Sequence, residues 1–129
     1  MRLFYLVLLA ICAVSGCQPA DKAPISSRLL IDEASVQLQL TPADAPVETP
    51  LRLQVYGEGI AEITGEISGI SMYMGRVPLK FSRHESAWQA EFLLGACSDP
   101  KMLWQVQVEL TLTDGKKRLL KQQFHSSWQ

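Results

Sequence analysis

The chain has 129 residues, 47% of them hydrophobic, with 12 Lys+Arg against 13 Asp+Glu and a formal net charge of −1. That length supports one small domain around a single core and is too short for two. A balance this close to neutral lacks the basic footprint of a nucleic-acid binder.

The first element is an apolar run. Arg2 precedes residues 3–14, and Ser15-Gly16 place small side chains before Cys17, which is the order of an export signal: positive n-region, apolar h-region, cleavage site. A helix over residues 3–14 would rise only about 18 Å against a hydrocarbon core of about 30 Å, so the run is too short to span a membrane. Val14-Ser15-Gly16-Cys17 resembles the lipobox of bacterial lipoproteins. The resemblance implies that residues 1–16 are removed as a signal peptide and that Cys17 becomes a lipidated N-terminus, with a cleaved signal lacking lipid as the alternative. Two acyl chains on Cys17 would anchor stably where one is marginal. Gln18 follows the cysteine, where Asp in enterobacterial lipoproteins marks inner-membrane retention, so the resemblance favours the outer membrane, with the domain facing the periplasm. Cleavage would remove Arg2 and Cys12, leaving 11 Lys+Arg against 13 Asp+Glu and Cys97 as the remaining thiol, which excludes an internal disulfide.

Residues 17–28 are polar, contain Pro19 and Pro24 and show no apolar period, which predicts a flexible tether; the domain is then 29–129. From there the dominant period is two. Val36, Leu38 and Leu40 alternate with polar neighbours, as do Leu51, Leu53 and Val55, with a proline-bearing loop between the two strands. Residues 60–72 read as a third strand region, where Gly65 and Gly69 suggest a bulge or a close backbone approach. Strands at 77–81 and 88–94 follow, the latter with Trp88, Ala90, Phe92 and Leu94 inward. The clearest strand puts Trp104, Val106, Val108, Leu110 and Leu112 on one face, and Asp114-Gly115 predicts a two-residue type I′ turn into a return strand holding Leu120, Gln122 and Phe124. Lys116, Lys117, Arg118 and Lys121 read as a solvated hairpin edge that discourages pairing. About seven short strands without a helical period predict an antiparallel, immunoglobulin-like β-sandwich.

Catalytic patterns are scarce. The two histidines, His84 and His125, form no His-x-x-x-His pair, and there is no nucleophile elbow, Walker loop or dinucleotide glycine pattern, so the expectation is a protein that is not an enzyme. Glu58, Glu62 and Glu66 fall on the polar phase of a strand and read as a solvated face. What stands out is sulfur: Met72-Tyr73-Met74-Gly75, and Cys97 to Met102 flanking a turn forced by Pro100. On an extended chain Met72 and Met74 would project to one side. Thiolate and thioether donors select Cu(I), so Met72, Met74, Cys97 and Met102 are the candidate metal residues. The alternative for the same four is core packing, since methionine fills irregular gaps and favours contacts with rings such as Trp104.

The order of features from Leu51 to Phe124 adds a second resemblance. A glycine-rich approach to Met72-Tyr73-Met74-Gly75, the strands at 77–81 and 88–91, Leu94-Gly95-Ala96-Cys97 and Met102-Leu103-Trp104 before a last hairpin is similar to the YtkA-like and FixH-like periplasmic domains. That resemblance implies an immunoglobulin-like sandwich associated with copper handling and the assembly of respiratory oxidases. This chain departs from the pattern by having no histidine within either sulfur segment and by carrying a lipid signal in place of a membrane helix. The expected partners are the membrane, through lipid on Cys17, and an envelope or oxidase protein. The rival expectation is a structural or interaction lipoprotein of the envelope without metal.

Overall fold

A computed structural model describes residues 24–128. The expected signal peptide at residues 1–16, Cys17 and most of the expected tether lie outside the described residues. Every regular element among them is a strand: β1 (Arg28–Glu33), β2 (Val36–Thr41), β3 (Leu51–Gly57), β4 (Ile60–Gly69), β5 (Arg76–Leu79), β6 (Ser82–His84), β7 (Ala87–Phe92), β8 (Leu103–Leu112) and β9 (Lys117–His125). They form a five-stranded sheet of order β1-β2-β3-β7-β6 and a four-stranded sheet of order β5-β4-β8-β9, with every pairing antiparallel. Matching β2-β3-β7-β6 to strands A-B-E-D and β5-β4-β8-β9 to C′-C-F-G recovers the immunoglobulin order, with β1 added outside A. The molecule is an antiparallel β-sandwich.

Alternation creates the core. Leu38, Leu40, Leu53 and Val55 from one sheet face Ile67, Trp104, Val106, Val108 and Leu110 from the other, and none is more than 1% exposed. Removing each such side chain from water stabilises by about 1.5 to 3 kcal/mol. Trp104 is the largest, and its indole Nε1–H donates to Ser126 Oγ at 3.0 Å, so the polar tip of the ring is satisfied inside the core. Three of the four exposed rims are guarded. β9 presents Lys117 and Lys121 outward, β5 contains Pro78, and β6 has only three residues. Arg118 on β9 pairs with Glu33 on β1 at 3.0 Å, joining the two sheets along one side.

Several sequence expectations need correction. There are nine strands among the described residues, not about seven. The first begins at Arg28, inside the expected tether, and a register irregularity between Leu29 and Ile31 explains why Leu29-Leu30-Ile31 shows no alternation. The β8–β9 turn is not a two-residue type I′ turn. Leu112 N–H donates to Lys116 O at 2.8 Å and Gly115 N–H to Leu112 O at 2.9 Å, and Gly115 alone takes a positive φ of 84°, which is a three-residue loop ending in a left-handed glycine. Trp88 does lie on the inward face, opposite Val55 and packed against the core, but at its margin: it is half-buried, with the Arg83 guanidinium 5.8 Å from its ring centroid. The bulge in β4 lies between Ile60 and Glu62, whereas Gly65 and Gly69 do mark close approaches.

Candidate functional site

Strand directions place both sulfur segments at one end of the sandwich. β4 ends at Gly69 opposite Trp104, β7 ends at Phe92 opposite Leu51, and β8 starts at Leu103 opposite His125. The bend at 70–75 and the loop at 93–102 therefore leave from the same end, beside the 42–50 loop. Glu48 N–H donates to Leu94 O at 2.8 Å and Val47 N–H to Ser127 O at 3.0 Å, so the loops of the two sheets are tied across that end.

Met72 and Met74 do not share one side of a strand, because the chain bends at residues 70–72 immediately after β4 and Gly75 turns it through a positive φ of 74°. Met72 is 40% exposed, while Met74 is half-buried and packs on the core edge. The Met74 methyl carbon lies 3.5 Å from the Cβ position of Gly95, two residues before Cys97. Met74 thus reaches across to the residues just before the second sulfur segment.

Ser71 joins the segments from below. Its Oγ accepts the Leu103 N–H at 2.9 Å, and its single proton faces two acceptors, Met102 Sδ at 3.1 Å and an Asp99 carboxylate oxygen at 3.4 Å. The other Asp99 oxygen accepts the Lys101 N–H at 2.9 Å, which fixes the turn around Pro100. Met102 is 1% exposed, so its side chain packs in the core with its sulfur hydrogen-bonded. Cys97 is half-buried, and its thiol donates to Asp99 O at 3.4 Å. A metal at sulfur would take the place of this thiol proton.

Gly69 permits this arrangement. A Cβ there would come within 2.5 Å of Met102 Cε and would also collide with the Met72 carbonyl oxygen. Ser71, Asp99 and Gly69 hold the end together, yet Ser71 and Asp99 carried no signal in the sequence because their partners are about thirty residues away. Among the described residues no group of three or more His, Cys, Asp or Glu could hold a metal ion together. A metal at this end would depend on thioethers beside one thiol. A cleft of about 720 Å³ at the opposite end, between Ser35, Tyr56, Gly59 and Arg83, contains none of the four sulfur residues. Comparison with family models, curated proteins and solved structures finds no match to this chain.

Proposed function

We propose that the protein is a lipid-anchored, non-enzymatic β-sandwich of the bacterial envelope that binds Cu(I) at its loop end, or assists metallation or assembly of a respiratory oxidase. The observation that carries this reading is the reach of Met74 across to Gly95, which puts a thioether beside the segment bearing the free thiol Cys97. Soft donors of this kind suit Cu(I) over zinc or magnesium. Cys97 supplies the charge on losing its proton, Met74 and the exposed Met72 supply thioethers, and the buried Met102 supports the site from beneath. A competition titration of the reduced protein against a Cu(I) chelator tests it. Cys97→Ala should weaken binding most, Met74→Leu and Met72→Leu less, and Met102→Leu should act mainly on the melting temperature. Variants that all titrate like wild type would end the copper reading, as would a wild type that takes up no copper.

A second reading, an envelope interaction module without metal, is favoured by one observation. Tyr73 is 85% exposed, with Ile70 at 45% and Leu93 at 55% in the same loop cluster. Three of the four edge strands are short, lysine-bearing or broken by Pro78, so this end is favoured as the contact surface over β5, β6 or β9. A photo-crosslinker at Tyr73 tests this in cells: a discrete protein adduct supports the module, and lipid-only adducts oppose it.

A further inference from the structure

A separate feature occupies the flank of the loop end where the start of β1, the residues after β9 and the Pro100-Lys101 turn meet. A cleft of about 510 Å³ opens there, with Arg28, Asp44, Lys101, His125, Ser126 and Trp128 in its lining. That volume lies in the range of small-ligand sites. Arg28 Nε and Nη2 are shielded from solvent and have no hydrogen-bond partner among the described residues. A guanidinium keeps its charge under all ordinary conditions, so dry, unanswered N–H groups on it are costly, and Arg28 would gain by turning them to an anion in the cleft that it lines.

The rest of the lining suits the same ligand. Lys101 is exposed and, like Arg28, has no ion-pair partner among the described residues. His125 Nδ1 lies 2.9 Å from Lys101 O; a carbonyl only accepts, so Nδ1 carries the hydrogen, and Nε2 of the neutral ring is an acceptor that gives an anion no donor. Ser126 Oγ accepts from Trp104, which leaves its own proton to donate. The carboxylate in the lining, Asp44, accepts from Ser127 Oγ at 3.3 Å, and two fixed cations outweigh it. Donors arriving from a guanidinium, an ammonium and a hydroxyl on different elements match a tetrahedral oxyanion better than a flat carboxylate.

We infer that this cleft binds a phosphate group, presented by free phosphate or by a lipid headgroup. The headgroup source alone rests on the lipid-anchored reading: residues 17–27 extend at most about 40 Å before β1, so the cleft would stay near the bilayer surface. The test is isothermal titration of the full chain in micelles of a neutral detergent at low salt, with inorganic phosphate and with short-chain phosphatidic acid. Wild type should saturate, and Arg28→Gln and Lys101→Gln should each weaken binding about tenfold. Lys101 is exposed, so its variant serves even where Arg28→Gln disturbs β1. Lys116→Gln, in the β8–β9 turn, should change nothing, and Cys97→Ala should also bind normally, which separates this site from the copper reading. Binding of inorganic phosphate identifies free phosphate as the source, and binding of phosphatidic acid alone identifies the headgroup; both outcomes support the site. Binding of neither ligand, or equal binding by wild type and the Arg28 and Lys101 variants, overturns it.

Discussion

Gly69→Ala tests whether both sulfur segments are seated on the end of β4 as described. The new methyl would lie within 2.5 Å of Met102 Cε and against the Met72 carbonyl oxygen. Met102 could retreat only within a site where it is 1% exposed, and a backbone carbonyl cannot rotate away. The 70–72 backbone must therefore move, carrying Ser71 off Leu103 N–H and Met102 Sδ, now 2.9 and 3.1 Å from its hydroxyl. Overpacking of this kind costs about 1 to 3 kcal/mol and a lost hydrogen bond about 1 kcal/mol more, giving about 3 kcal/mol in total. For a domain of this size each kcal/mol lowers the melting temperature by about 5 °C, so a drop of about 15 °C is expected by circular dichroism. Gly95→Ala is the matched control, because its methyl would meet Met74 Cε at 3.5 Å, an ordinary contact. If the two variants melt together, the close packing at Gly69 is wrong and with it the account of how the loops are held.

Three further outcomes follow from the sequence and the fold. Trp104→Ala removes the largest buried side chain and the donor to Ser126, and should cost about 3 to 5 kcal/mol in denaturant unfolding, whereas Gln107→Ala on the opposite face should cost little. Cys17→Ser should stop lipid attachment and cause the unprocessed precursor to accumulate, read as loss of labelled fatty acid from the protein; unchanged label would contradict the anchor. The hydrogen bond and charge of Glu109, 2.9 Å from Lys117 Nζ, raise the Lys117 pKa. A raised lysine pKa favours the folded state below the unfolded value and ceases to do so as the pH climbs through the folded value. Glu109→Gln should lower the Lys117 pKa toward its ordinary value, measurable by NMR at its ε-carbon.

The legible parts of the fold were those where one physical signal dominated. In β8 the core face and the water face alternate without interruption from Trp104 to Leu110, so residue type alone gave the strand and its phase. β1 was hidden because its irregularity breaks the period at Leu29 to Ile31, and because its pairing with β2 is a tertiary fact that no local pattern reports. Asp114-Gly115 gave the position of the turn but not its type, since one left-handed residue closes a three-residue loop where two were expected. At the site, sequence picked out the sulfur atoms but assumed that residues 72–74 ran straight. The bend after Gly69 sends Met72 toward solvent and Met74 toward Gly95, and the groups that set this geometry, Ser71 and Asp99, look like ordinary loop residues until their distant partners are known.

The three tryptophans sit at graded depths, and that gradation makes the molecule its own optical probe. Trp104 is sealed in the core, Trp88 is half-covered beneath Arg83, and Trp128 is 51% exposed on the wall of the cleft that holds Arg28. The buried indole should emit at shorter wavelength, and the wetted one at longer wavelength, where aqueous iodide can quench it. A ligand entering the cleft should shield only the long-wavelength component, while unfolding should merge the two. Occupancy and folding can thus be followed separately in one unlabelled sample, with Trp128→Phe as the blank.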